Sequence, residues 1–156
     1  KVGDRVIASI GHNGAREKVA VPAQAIIKIP DSLDFDRAAG IIITYGTALH
    51  ALEDRGSPKP GETLAVLGAA GGTGLAACEL GKLLGLKVIA CASSDEKLEF
   101  AKQHGAELTL NYGADDLKEG LKKLTGGKGV DIILIRLARD IPKRRYARSR
   151  GRAAFW

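Results

Sequence analysis

The stretch Thr63-Leu64-Ala65-Val66-Leu67 passes directly into Gly68-Ala69-Ala70-Gly71-Gly72-Thr73-Gly74, and from there into a helical pattern that runs from Thr73 to Leu84. A short apolar run reads as a buried strand, and the glycines after it read as a tight turn. Glycine suits such a turn because a side chain would keep backbone N–H groups from reaching a pyrophosphate. The start of the following helix adds a partial positive charge at the same point. The spacing is G-x-x-G-x-x-G, one residue longer at the front than the common G-x-G-x-x-G fingerprint. In isolation the string fits a packing turn that binds nothing. Between a strand and a helix, with further strand-helix cycles behind it, it points to dinucleotide binding. No Lys-Ser or Lys-Thr closes the loop, which disfavours a nucleoside triphosphatase.

Downstream the period keeps switching. Lys87 to Cys91 is a second apolar run, Asp95 to His104 is helical, and Glu107 to Leu110, Ala114 to Leu124 and Val130 to Ile135 repeat the cycle. Four strands alternating with three helices predict an α/β fold with a doubly wound parallel sheet, covered on both faces. Upstream, Val2, Val6 and Ile7, a Gly11-His12-Asn13-Gly14 turn, Val19 to Val21 and Ile26 to Ile29 predict two or three strands of a small β structure. Asp31 or Ser32 is placed to cap a helix continuing to Ile43, and a further helical stretch runs from Thr47 to Asp54 and ends at Gly56.

The tip of the second sheet strand normally selects the cofactor. An acid there grips a ribose 2′-hydroxyl, whereas its absence beside a basic residue admits a 2′-phosphate. Here the tip is Ala90-Cys91-Ala92-Ser93-Ser94, with no acid. Asp95 and Glu96 suit a helix first turn, and Ser93 with Glu96 has capping-box spacing. Ser93, Ser94 and Lys97 together can hold a 2′-phosphate, so NADPH is expected over NADH.

Of 156 residues, 45% are hydrophobic and 27% charged, enough for a real core, and no run of 18 apolar residues occurs. The two cysteines, Cys78 and Cys91, encode neither a disulfide framework nor a zinc cluster and read as small core residues, which fits a cytoplasmic setting. His12, His50 and His104 lie far apart in the pattern and read as surface or packing residues. The formal charge of +6 is unevenly placed: eight of the 24 basic residues but one of the 18 acidic ones fall in Arg136–Trp156. The body up to Ile135 is close to neutral.

Several motifs in order carry a family resemblance: Gly3-Asp4-Arg5-Val6, Ile29-Pro30-Asp31, Thr44-Tyr45-Gly46-Thr47-Ala48, Lys59-Pro60-Gly61-Glu62-Thr63 and the Gly68–Gly74 turn. Gly105-Ala106, Asn111-Tyr112 and Gly126-Gly127-Lys128-Gly129-Val130-Asp131 continue the series. Together they resemble the zinc-independent NADPH:quinone oxidoreductases of the medium-chain dehydrogenase/reductase superfamily, over residues 1 to about 133. The resemblance implies a remnant of a GroES-like catalytic β domain at 1–33 and an incomplete Rossmann dinucleotide-binding domain at 34–135. It implies an oxidoreductase that transfers hydride from NADPH to a quinone or related enone. By motif position Thr47 stands at the nicotinamide side, Gly71, Gly72, Thr73 and Gly74, with Ala70 just before them, at the pyrophosphate, and Lys97 and Tyr112 at the 2′-phosphate, beside the Ser93 and Ser94 read from the strand tip. Thr47 also suits a helix-cap hydroxyl, and Tyr112 a strand-end aromatic packing on the sheet. Zinc-dependent relatives carry a four-cysteine loop where this chain has the short Ile10 to Ala20 without cysteine, so no metal is expected.

The resemblance ends near Ile133. The family turn Asp-Pro-Val-Gly is replaced by Leu134-Ile135-Arg136-Leu137-Ala138-Arg139-Asp140 and an arginine-rich run. Back-translated and read two bases later, Leu134 to Trp156 gives D-P-V-G-A-R-Y-T-E-A-A-L-R-S-I-A-W-E-G-R-F-L, so the basic tail at 136–156 is expected to be frame-shifted. With no methionine and a start inside a strand pattern, the chain is expected to be a piece of a longer reading frame. Impaired turnover follows as an expectation, with a catalytically inactive dinucleotide-binding remnant or an enoyl-thioester reductase fragment as alternatives. A family-type homodimer is not expected. The tail offers only Tyr146, Phe155 and Trp156 for stacking, and the expectation is against nucleic acid as a partner.

Overall fold

The computed structural model describes residues 1–135 and 152–155, and the chain forms two units, Lys1–Ile43 and Thr44–Trp156. In the first unit, β1 (Val6–Ala8) pairs antiparallel with β2 (Ile26–Lys28), Ile7 opposite Ile27. The chain then enters α1 (Phe35–His50). The cap of α1 is not Asp31 or Ser32 but Asp34, whose carboxylate accepts from Arg37 N at 2.7 Å. The displacement has a cause in Arg5. Its guanidinium donates to the carbonyls of Asp31 (2.6 Å), Leu33 (2.7 Å) and Pro30 (3.3 Å) and lies over the Phe35 ring, holding Pro30–Leu33 as a turn before the helix.

Helix α1 does not break between Ile43 and Thr47. It runs on to His50 and closes through a π-helical turn, Ala51–Gly56, so that Ala48, Ala51 and Leu52 enter the core of the second unit. That unit is built on a parallel sheet. Its strands are β3 (Thr63–Leu67), β4 (Lys87–Ala92), β5 (Leu108–Asn111), β6 (Ile132–Ile135) and β7 (Arg152–Phe155), in the order β5-β4-β3-β6-β7. The connecting helices are α2 (Gly72–Leu83), α3 (Asp95–Gln103) and α4 (Leu117–Leu124). The four expected strands are all present, and β7 adds a fifth beside β6, with Ile132 opposite Arg152. Arg152 anchors it, donating to the Ser57 carbonyl at 3.0 Å and to the Glu62 carboxylate. The rest of the basic tail, 136–151 and Trp156, lies outside the described residues.

Because successive strand residues face opposite ways, apolar residues at every position give the sheet two cores. On one side Leu64, Val66, Val88, Ala90, Ile132 and Leu134 meet α2 and α3 through Ala77, Cys78, Leu98 and Ala101. On the other, Ala65, Ile89, Cys91, Leu110 and Ile133 meet α4 through Leu121. Burial pushes both thiols up to about 12, with the Glu79 charge adding to the effect at Cys78 and Cys78 itself at Cys91. Both are therefore packing groups, as expected. No helix among the described residues is long and apolar enough to cross a membrane.

The helices α1, α2 and α3 are also joined by one polar network. Glu79 on α2 accepts from the Tyr45 hydroxyl of α1 and pairs with His104 Nδ1, just past α3, at 2.6 Å. His104 in turn meets the Phe100 ring edge-on, at 4.8 Å between centroids. Burial raises the Glu79 carboxyl, but the hydrogen bonds from His104 and Tyr45, with the His104 charge, outweigh it and leave the carboxyl below its ordinary value. A carboxyl depressed on folding stabilises the fold above its unfolded value, about pH 4.3, and loses that contribution as pH falls through the folded value. The Glu79 side chain is a third exposed, which keeps the effect on the order of 1 kcal/mol. Urea unfolding of Glu79→Gln is therefore expected to show a deficit of that size at pH 7. The deficit should close toward pH 3; one that stays constant with pH would assign Glu79 a packing role alone.

Candidate functional site

Strand order reverses between β3 and β6, so the crevice typical of open α/β sheets lies at the carboxyl ends of the strands, beside the turn after Leu67. The turn is fastened to its neighbour: the N–H groups of Gly68 and Ala69 both donate to the Cys91 carbonyl, at 2.9 and 3.2 Å. Gly68 takes φ +71°, and the chain folds back so that Gly71 N donates to Gly68 O at 3.0 Å. Gly71 then serves as N-cap of α2 in an extended conformation, with no side chain capping the helix. The first N–H groups of a helix have no intrahelical acceptor, and with the helix dipole behind them they favour an anion.

Gly74 is needed for space. A Cβ on Gly74 would lie 2.4 Å from Gly68 O and 2.8 Å from Ala69 Cα, inside any real contact distance. A Cβ on Gly72 would come within 3.2 Å of Thr44 Cγ2, which sets that face of α1 alongside the turn. Thr47, half-buried, follows Thr44 by one helical turn on the same side of α1. Ala70 and Thr73 are half-buried, while Gly71 and Gly72 are exposed.

A second group collects at the ends of β4 and β5. Ser93 is exposed and its hydroxyl accepts from Lys97 Nζ at 3.3 Å. The capping-box reading of Ser93 with Glu96 fails: the N-cap of α3 is Ser94, and no side chain closes it. Tyr112, 39% exposed, begins the loop after β5, and its N–H donates to the Ala92 carbonyl at 3.0 Å, which places it against the Ser93 segment. Gly113 completes the junction, since a Cβ there would stand 2.6 Å from Ser93 O. The structure thus gathers Ser93, Ser94, Lys97 and Tyr112 at one edge. Leu67 of β3 lies opposite Cys91 of β4, so the glycine turn shares that edge.

Three features escaped the sequence reading: the Glu79 network, Gly113, and the hydrogen bond from Asn111 Nδ2 to Asp95 Oδ1 at 2.8 Å. For Gly113 a turn signal after a strand was available in the sequence. For the others only the fold brings the partners together. Among the described residues no group of three or more His, Cys, Asp or Glu side chains is placed to hold a metal ion.

Residues 72–142 match the family model described as zinc-binding dehydrogenase. The chain is 42% identical over 142 residues to the quinone oxidoreductase-like protein 2 of Bos taurus, an alignment covering 90% of this chain and 41% of that protein. It thus spans about two-fifths of the length of the curated relatives it matches. Among solved structures, the quinone oxidoreductase of Pseudomonas syringae pv. Tomato DC3000 superposes with a TM-score of 0.79 at 36% identity, covering 90% of this chain and 43% of the other. The quinone oxidoreductase from Thermus thermophilus, whose structures include a complex with NADPH, gives a TM-score of 0.84 at 28% identity, covering 100% of this chain and 58% of the other.

Proposed function

Because the chain belongs to the quinone oxidoreductase family of the medium-chain dehydrogenase/reductase superfamily, we propose that it binds NADPH at the carboxyl edge of its parallel sheet and serves hydride transfer to a quinone or related enone. The observation that carries this reading is the glycine turn, packed so closely on the start of α2 that a Cβ at Gly74 would lie 2.4 Å from Gly68 O, and set one strand away from a hydroxyl–ammonium pair with no acid at the strand tip. Those residues fit the group they would hold. The backbone N–H groups at the start of α2, from Gly72 to Gly74, meet the pyrophosphate. Ser93 and Ser94 offer hydroxyls and Lys97 a cation to the ribose 2′-phosphate, with Tyr112 beside them. Thr47 offers its hydroxyl toward the nicotinamide side from α1.

When bound, the cofactor supplies the hydride, and the protein contributes placement. The chain's own part is to hold the two phosphate groups at fixed points of one sheet edge and so fix the direction in which the rest of the dinucleotide extends. The zinc-independent branch is favoured by the short, cysteine-free Ile10 to Ala20, and a reducing compartment such as the cytoplasm by two buried cysteine thiols.

The test is NADPH binding by titration calorimetry on the full chain, followed by loss of nicotinamide absorbance with a quinone and, separately, with an enoyl thioester. Binding with quinone-dependent consumption is expected. Absence of NADPH binding overturns the reading. Binding with consumption by the thioester alone replaces the acceptor, and binding without consumption of either leaves a nucleotide-binding remnant in place of an enzyme.

A further inference from the structure

Two acids at the start of α3, Asp95 and Glu96, stand close to the residues read as 2′-phosphate contacts, and Asp95 lies two positions from both Ser93 and Lys97. An acid so placed would repel a phosphorylated ribose. Its orientation is fixed, however, by a side chain on the neighbouring strand. Asn111, the last residue of β5, accepts from Gly113 N at 2.9 Å through its Oδ1 and donates to Asp95 Oδ1 at 2.8 Å through its Nδ2. The two bonds leave no freedom to flip the amide, because a backbone N–H can only donate and a carboxylate can only accept. Asp95 and Asn111 both line a cavity of about 490 Å³ over β5, between α3 and α4, together with Leu98, Asp116 and Glu119. Neither Ser93 nor Lys97 lines it. The carboxylate is therefore held toward Asn111 at the end of β5, and the Ser93–Lys97 hydrogen bond lies outside that cavity.

We propose that Asn111 is a positioning residue for cofactor choice: by tethering the Asp95 carboxylate on the β5 side, it keeps that negative charge from the 2′-phosphate end of the site and so favours NADPH over NADH. The inference rests on the reading of Ser93, Ser94 and Lys97 as the 2′-phosphate contacts. Released, Asp95 is free to swing toward the strand tip, where a carboxylate disfavours a phosphate and suits a ribose 2′-hydroxyl. The same Asn111 amide ties down Gly113, whose missing side chain lets the β5 loop close on Ser93, so one residue sets both the charge and the spacing of this corner.

A double-mutant cycle on the full chain separates this role from plain structural support. Dissociation constants for NADPH and for NADH are measured by titration calorimetry for the wild type, N111A, D95N and the double variant. N111A is expected to weaken NADPH by roughly three- to tenfold while NADH stays level or tightens. In the double variant, with no carboxylate to release, most of the NADPH loss is expected to disappear. N111S, which keeps a small oxygen acceptor near Gly113 N, is expected to show the same selective loss and covers the case in which N111A fails to fold. Equal weakening of both nucleotides, or no recovery in the double variant, overturns the proposal and leaves the proposed NADPH site standing. A wild-type protein that binds NADPH no better than NADH overturns both.

Discussion

Gly74→Ala is expected to abolish NADPH binding and to lower the stability of the chain by about 1–3 kcal/mol, the usual cost of forcing a methyl group into filled space. The added carbon would lie 2.4 Å from the Gly68 oxygen, and its neighbours there are all backbone. Backbone cannot rotate out of the way as a side chain can. Nor can the turn slide, because Gly68 and Ala69 are both held by the Cys91 carbonyl and α2 is committed from Gly72 onward. Relief therefore requires α2 to move away from β3, which would disturb the packing of Ala76, Ala77 and Cys78 on the sheet and carry the first-turn N–H groups out of line. Gly71→Ala is the fitting control. Gly71 has φ −80°, which alanine tolerates, and its Cβ would meet Gly68 O at an ordinary 3.4 Å. Its stability is expected to stay within about 1 kcal/mol of the wild type. Thermal unfolding and NADPH titration of the two variants side by side check the contrast, and equal behaviour of the pair would show that the turn has more slack than its geometry implies.

That contrast also shows what was legible from sequence. Strand-turn-helix periodicity located β3, β4, β5 and β6 to within a residue or two, because strands buried on both faces read as continuous apolar runs and the glycines mark where the chain must turn. Errors arose where a distant group decides a local choice. Arg5 takes the carbonyls of Pro30, Asp31 and Leu33 and so moves the start of α1 to Asp34, an effect that depends on a residue almost thirty positions upstream. The two helical stretches expected, one to Ile43 and one from Thr47 to Gly56, are one continuous helix, because Ala48, Ala51 and Leu52 bury against the sheet and carry it through a π turn. Ser93 looked like a capping residue on spacing alone, but its hydroxyl is engaged by Lys97. In the site, the phosphate turn could be read from its glycines. The tether from Asn111 to Asp95 could not, since nothing in either residue's neighbourhood identifies a partner 16 positions away.

Lys97→Glu is expected to produce the largest selective change, weakening NADPH by on the order of 100-fold while NADH changes little. Lys97 is the cation at the corner where β4 ends, with Nζ 3.3 Å from Ser93 Oγ. A hydrogen bond to a charged group contributes roughly 1.5–3 kcal/mol, so removing the ammonium alone, as in Lys97→Met, corresponds to about a tenfold or greater loss. The reversed charge adds repulsion of a phosphate that carries nearly two negative charges, and this second contribution falls as salt is raised because the site is exposed. NADH lacks the 2′-phosphate and feels neither effect. Dissociation constants for both nucleotides at low and high salt check the prediction. A selective, salt-dependent loss identifies Lys97 as a direct phosphate contact. An equal loss for both nucleotides would mean instead that Lys97 matters to the start of α3, and that phosphate selection falls to Ser94 and Tyr112 on the two sides of the same corner.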